Sequence, residues 1–490
     1  MANSTIPAAV LMAAISMAAW SQPAPSYDSI PTPKPISPAE STTNPSALAT
    51  QRQNPYLGSV PQKPIAGTLK VSLAGALARG LRYNLGLVES TEASADVRAD
   101  RLRALSALLP QVAARASQGL NNVSFAEIGL RLPPIPGFKL GPTTGAFGYE
   151  DARVGVTMPL YDRELRERYR AKKNNETASQ LSVKDSRDVV VLAVGTAYFQ
   201  VIASAARLET AKAHLAAARE LDELTAHRVE TEVSPEIDSL RAQVERESAE
   251  QRLTDVTDQL EKDKLTLARI TGLPIDQQFE LTDRLQYHAL TGVTLDSATQ
   301  QALGSRADLA SAQASVQAAE AVLQAQKSER LPVVSVTADY GGAGRNLGNF
   351  NQVYSVSGNV SVPLYTGGRI RAGIEQARAE LARRQAEYED LKGRIAYDVR
   401  VAWLDVNASE SSVKVAQRNQ GLAEKALVQS RDRYTNGVTN YLELVQAEEV
   451  RAAADENYVQ SLYSFNVALI ALARSIGGAE TTLLRLAGGK

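Results

Sequence analysis

The chain runs through one plan twice, and a duplicated unit is the feature that most limits what it can fold into. Leu87 precedes a helical segment ending at Leu109 and Pro110, and Leu309 precedes one ending at Leu331 and Pro332; 309 − 87 and 332 − 110 both give 222. Further on, Met158-Pro159-Leu160-Tyr161 matches Val362-Pro363-Leu364-Tyr365, at 363 − 159 = 204, so the first copy carries the longer loop. After one more residue of slip the copies stay in step, with Tyr198 and Trp403, Val233 and Val438, and Gly272 and Gly477 each 205 apart. Two units follow, 68–273 and 293–477, with a linker at 274–292 and a tail at 478–490.

Each unit reads helix, strand, loop, strand, long helix, turn, helix. In the second, Val334, Val336, Ala338 and Tyr340 alternate with Val333, Ser335, Thr337 and Asp339. Past the loop, Tyr354, Val356, Val360, Val362 and Leu364 alternate with Ser355, Ser357, Asn359 and Ser361. In the first, Ala152, Val154, Val156, Met158 and Leu160 alternate with Asp151, Arg153, Gly155 and Thr157, and Gln111 to Leu120 alternates more weakly. A period of two predicts four strands in two hairpins, apolar on one face and polar on the other. That pattern fits a half-buried sheet or a barrel wall with lipid outside and water inside. Four strands cannot close a barrel in one chain, and lipid tolerates no open sheet edge; three copies give twelve.

The helices are long. From about Glu164 to Glu232 there is no Pro, and Ala, Leu, Glu, Arg and Lys dominate, which predicts one helix of roughly 100 Å. Its counterpart runs from Arg369 to about Tyr434. Small residues recur on one face, as at Ala379, Ala382 and Ala386, and allow close lateral packing. A soluble periplasmic coiled-coil scaffold or adaptor is the competing reading. It leaves the strand hairpins at matching places unexplained.

The first 20 residues contain an apolar stretch from Ile6 to Ala19 with small residues at its end, read as a secretory signal that lacks the usual preceding Lys or Arg. Ser21 to Gly67 is rich in Pro, Ser and Thr and is expected to be a disordered, exposed leader. The uncharged run Val189 to Ala206 lies inside a much longer charged helical pattern, so a bilayer-spanning helix is not expected there. With 53 Lys and Arg against 54 Asp and Glu, nothing argues for a nucleic-acid partner. Cysteine is absent, which removes disulfides, thiolate metal sites and a catalytic thiol. His214, His227 and His288 have no spacing that suggests a metal site and read as isolated surface residues. The glycines of Gly342 to Gly348 sit in an expected hairpin loop and lack the Lys-Ser/Thr pair of a phosphate loop. No Gly-x-Ser-x-Gly occurs, so neither an enzyme nor a cofactor is expected.

At Val362-Pro363-Leu364-Tyr365-Thr366-Gly367-Gly368 the sequence resembles the outer-membrane efflux protein (TolC) family. The duplicated plan, Arg433 to Leu444, and Ala473-Arg474-Ser475-Ile476-Gly477 resemble it too, so that the likeness covers about Leu69 to Gly477. At the first of these, Pro363 ends ladder pairing and Gly367 and Gly368 permit the strand-to-helix turn. The first copy, Pro159-Leu160-Tyr161-Asp162-Arg163, lacks the glycines.

The resemblance implies an α+β membrane protein: a homotrimer whose twelve transmembrane strands form a pore in outer-membrane lipid, continued through the periplasm by an antiparallel α-helical barrel. It also implies docking of the far tips on a periplasmic adaptor (membrane fusion) protein of an inner-membrane pump. Cargo would pass in tripartite efflux or type I secretion without covalent chemistry. The turns Val229 to Asp238 and Arg433 to Glu443 become the adaptor-facing tips. There Gly437 permits the turn, Val438 offers an apolar contact and Thr439 an N-cap; in the first copy Glu232 replaces the glycine, with Val233 behind it and Ser234 as N-cap before Pro235. Acidic side chains just past the second tip narrow the entrance in that family, and the matching positions are Glu443 and Gln446, with Asp238 the repeat equivalent of Glu443.

Overall fold

The computed structural model describes residues 54–64, 66–126, 141–287, 293–345 and 349–480. The signal stretch, most of the leader, the end of the tail and His288 lie outside the described residues.

The predicted strands form as two antiparallel hairpins: β2 (Gln111–Asn121) with β3 (Phe147–Tyr161), and β5 (Val333–Gly344) with β6 (Phe350–Ser361). They share one four-stranded sheet of order β2-β3-β5-β6, joined through an antiparallel β3/β5 pair. The register puts like with like. Ala114, Val154, Tyr340 and Tyr354 lie in one row across the sheet, and Val112, Val156, Ala338 and Val356 in the next row on that face. On the other face Gln111, Thr157, Thr337 and Ser357 form a polar row. Pro159 has no N–H to give the ladder, and the register shifts between it and Tyr161, which sits opposite Val334 and so joins the apolar face.

Each hairpin continues into a helix: α3 (Arg163–Glu230, 68 residues) and α7 (Arg369–Thr435, 67 residues), each about 100 Å long at the usual rise. Each turns back into a 36-residue helix, α4 (Glu236–Thr271) and α8 (Tyr441–Ile476). Beside the sheet, α3 and α7 pack against α2 (Leu85–Ser106) and α6 (Ala307–Ser328); nearer the tips they pack against α4 and α8, with α3 also lying along α8.

Shorter helices, α1 (Leu73–Tyr83) and α5 (Leu295–Ser305), precede α2 and α6 and meet them at extended residues, Asn84 (ψ 131°) and Arg306 (ψ 125°). Buried Asn84 caps α2 by accepting from Gly86 N at 3.0 Å, whereas Arg306 is held by Asp308 at 2.6 Å. A parallel pair, β1 (Leu69–Val71) with β4 (Phe279–Leu281), places a strand within the stretch read as a linker.

The main apolar cores lie where these short elements wrap the middle of α3 and α7. Val190, Val191, Val194, Tyr198 and Val201 of α3 are buried among Leu77, Leu267 and Ile470. In the other half, Ile395, Val399 and Val406 of α7 pack with Leu309, Phe465 and Leu469. Full burial of such side chains stabilises by about 1.5–3 kcal/mol each. The uncharged run in α3 is long and apolar enough to cross a membrane by composition, but its apolar side chains are covered by protein on several sides.

The exposed-tether expectation fails where the leader meets the fold. Asn54 caps a short 3₁₀ turn at Pro55–Leu57, Tyr56 Oη lies 3.0 Å from Ser186 Oγ, and Asn84 Nδ2 donates to Tyr56 O at 2.7 Å. The hydroxyl and the backbone carbonyl of one tyrosine, each with a polar partner, dock a segment whose composition alone reads as solvent-borne.

Candidate functional site

The sheet exposes its apolar face. Tyr354, Val356 and Val360 are 76%, 74% and 68% exposed, and Val112, Leu120 and Tyr340 are similarly bare. Leaving large apolar side chains in water in a contiguous patch marks a surface made for another apolar medium. On the polar face the Arg153 guanidinium reaches Asp151 at 2.7 Å and Asp339 at 2.8 Å. Among the described residues, β2 and β6 each have one edge without a ladder partner.

At the strand-to-helix turn, β6 stops before Pro363, and Gly367 (φ 59°) and Gly368 (φ 88°) take left-handed conformations that start α7. The first copy solves the same turn differently. Asp162 caps α3, its carboxylate accepting from Leu165 N at 2.9 Å, so no glycine is required.

The two tips share one backbone design. Val438 N donates to Arg433 O at 2.8 Å and Gly437 N to Tyr434 O at 3.0 Å; Val233 N donates to Arg228 O at 2.8 Å and Glu232 N to Val229 O at 3.0 Å. These are paired helix-terminating bonds closed by a left-handed residue, Gly437 (φ 71°) in one tip and Glu232 (φ 55°) in the other. Val233 and Val438 project into solvent, 64% and 67% exposed.

Two capping expectations are corrected. Asn440, not Thr439, caps α8, accepting from Glu443 N at 3.2 Å, because the turn ends one residue later than expected. Thr439 Oγ1 donates to the Glu443 carboxylate instead. In the first tip Pro235 occupies the cap position with no side-chain bond, and Ser234 caps nothing, its own N bonded to Arg228 O at 3.2 Å.

Glu443 and Gln446 lie one turn apart on α8, with Gln446 exposed and Glu443 half-buried. The Glu443 carboxylate is 3.4 Å from the Arg433 guanidinium. Asp238, at the start of α4, goes to Arg241 of its own helix at 3.8 Å and is not brought to Glu443.

Sequence reasoning missed what ties the tips together. Arg228 of α3 donates to Tyr434 O at 3.0 Å and stacks 4.6 Å from the Tyr434 ring, while Arg431 of α7 pairs with Glu220 of α3. A small tip core follows, in which Tyr434 and Tyr441 meet at 6.0 Å beside buried Leu444. The available signal was that Arg228 and Arg433 are also 205 apart. His214 is half-buried rather than an isolated exposed residue. Burial lowers its pKa, and it lies 3.8 Å from Glu245, whereas His227 is exposed. Gly342 and Gly344 belong to β5, where the Phe350 ring lies over Gly342; Gly348 lies outside the described residues.

The described chain thus combines an open-edged four-stranded sheet that bares an apolar face with two long helical hairpins. A sequence profile described as outer membrane efflux protein matches residues 88–273 and 298–478, and the chain belongs to that family. It is 22% identical over 318 residues to the alkaline protease secretion protein AprF of Pseudomonas aeruginosa, covering 64% of this chain and 66% of AprF. It is 22% identical over 315 residues to the outer membrane protein TolC of Vibrio cholerae, covering 62% and 71%. The chain thus spans about two thirds of the length of these curated relatives. The CmeC outer membrane channel of Campylobacter jejuni superposes with a TM-score of 0.71 at 15% identity, over 93% of this chain and 98% of that one. VceC of Vibrio cholerae superposes at 0.70 and 19% identity, over 83% and 96%. At these identities the likeness establishes the fold.

Proposed function

We propose that three copies of this chain form the outer-membrane channel of a tripartite efflux or type I secretion system. The observation that carries this is the sheet: among the described residues its two edges lack partners and its apolar face lacks a cover. Edge-to-edge joining of three sheets gives a closed twelve-stranded barrel, which satisfies every ladder in lipid. The two duplicated units then contribute equivalent helical columns to a periplasmic barrel. Cargo moves through the lumen under the power of an inner-membrane pump, with no covalent step.

The tips are the surface for the periplasmic adaptor, with Val233 and Val438 as apolar contacts and the left-handed turns at Glu232 and Gly437 presenting them. Glu443, with Gln446 one turn on, rings the entrance. A single acidic ring half-compensated by Arg433 favours cations less than two acidic rings would. A soluble scaffold is disfavoured by the bare apolar rows, since a water-borne sheet turns that face inward.

The test is extraction. The mature protein is expected to leave cells only with detergent, as a trimer that dissociates on heating. Release by osmotic shock as a soluble monomer would eliminate the channel. A photoreactive residue at Val438 is expected to capture the adaptor, and capture at an equal yield from an exposed mid-helix site such as Leu404 would remove the tip from the interface.

A further inference from the structure

Where the strands hand over to the helices, the chain carries cations that no carboxylate among the described residues answers. The ends of α3, α6 and α7 converge at one level, because Glu329 receives Arg369 at 2.6 Å and Arg168 at 3.8 Å. The acids there are already engaged. Glu164 pairs with Arg168 at 2.6 Å, Glu167 with Arg170 at 3.9 Å, and Asp162 caps α3. Arg163, Arg166, Arg330 and Arg371 remain, all exposed and without a carboxylate partner among the described residues. Arg163 is the first residue of α3 and Arg371 lies in the first turn of α7, where the helix dipole disfavours a cation.

Immediately on the membrane side lies a bare apolar girdle. Leu364 and Tyr365 are 94% and 91% exposed, with Leu160 and Tyr161 about half as much. The bulge after Pro159 puts Tyr161 in the apolar row with Val334 and Val360, and Arg166 sits 5.9 Å from its ring. An aromatic at the edge of an apolar band, backed by a guanidinium, matches the chemistry of a lipid interface: ring among the acyl carbonyls, cation at the phosphate.

Resting on the channel reading, we propose that this rim is a binding surface for anionic phospholipid headgroups of the periplasmic leaflet. Arg163, Arg166, Arg330 and Arg371 supply the charge, and Leu160, Tyr161, Leu364 and Tyr365 seat the chains. Headgroup phosphates supply the negative charge that the helix starts lack.

Native mass spectrometry of the detergent-extracted trimer, titrated with phosphatidylglycerol or phosphatidylethanolamine, tests this. The parent is expected to hold phosphatidylglycerol on the order of tenfold more strongly, given the attraction of each interfacial cation to an anionic headgroup. R163Q/R166Q/R330Q/R371Q should bring the two lipids to parity, and the four corresponding Lys replacements should keep the preference. Equal binding by the parent trimer, an undiminished preference in the Gln variant, or displacement of the lipid by millimolar inorganic phosphate would overturn the lipid site while leaving the channel intact. Absence of any detergent-dependent trimer would instead sink the channel reading and the site with it. Should the fourfold variant not assemble, R166Q and R371Q singly must each lower the preference for the proposal to stand.

Discussion

Val356 and Ser357 are neighbours in β6 with opposite fates, and lysine at each separates a lipid-facing wall from a soluble sheet. Val356 lies near the middle of a 12-residue strand, 74% exposed, in the apolar row with Ala338 and Val156. Ser357 points the other way, in the polar row with Thr337 and Thr157. If the apolar row meets hydrocarbon, a lysine near the bilayer midplane costs about 2–4 kcal/mol in each chain, or about 6–12 kcal/mol in a trimer that carries three. That is comparable to the whole stability of a typical domain, about 5–15 kcal/mol. If the sheet stood in water, the same exposed substitution would fall within about 0.5 kcal/mol of neutral. Heat-sensitive trimer in membrane extracts, read on unboiled gels, is the assay, with urea midpoints in detergent as the second measure. V356K is expected to abolish or severely reduce the trimer, and S357K to leave it near the parent level. Equal yields from the two variants would refute the assignment of lipid to the Val356 face.

Glu443→Ala is expected to raise single-channel conductance in planar bilayers and to weaken cation preference, because it removes the carboxylate beside Arg433; an unchanged conductance and selectivity would take Glu443 out of the constriction. Asp185→Asn concerns the charged cluster at the middle of the molecule, where burial first, and Asp308 second, push the Asp185 carboxyl above its ordinary range against the opposing pull of Arg474 and Arg306. A carboxyl whose folded pKa is raised favours folding below its unfolded value, about pH 4, and loses that contribution as pH climbs through the raised value. The Asn variant should therefore gain on the parent in thermal stability as pH rises above about 4, and parallel melting curves from pH 4 to 8 would contradict this.

Much of the fold was legible because its signals are local. The absence of Pro across 164–232 set one helix, and α3 spans Arg163–Glu230. Alternation set the strands, and the shared offset matched Glu232 to Gly437, both of which prove left-handed in the structure. Capping was read less well, since moving a turn by one residue exchanges Thr439 for Asn440, and both can cap. Three-residue strands such as β1 and β4 carry too few side chains to show a period.

What the sequence by itself determined is therefore which of the longer stretches are helix, strand and turn, and that they come in two matching copies. Only the tertiary structure decided that β3 pairs with β5, that the bulge after Pro159 carries Tyr161 to the apolar face, and that Arg228 holds Tyr434 across the tips. The physical reason is distance along the chain. Periodicity and capping are fixed by residues a few positions apart, whereas a ladder between β3 and β5 or a guanidinium stacked on a ring about 200 residues away depends on how whole hairpins lie against each other.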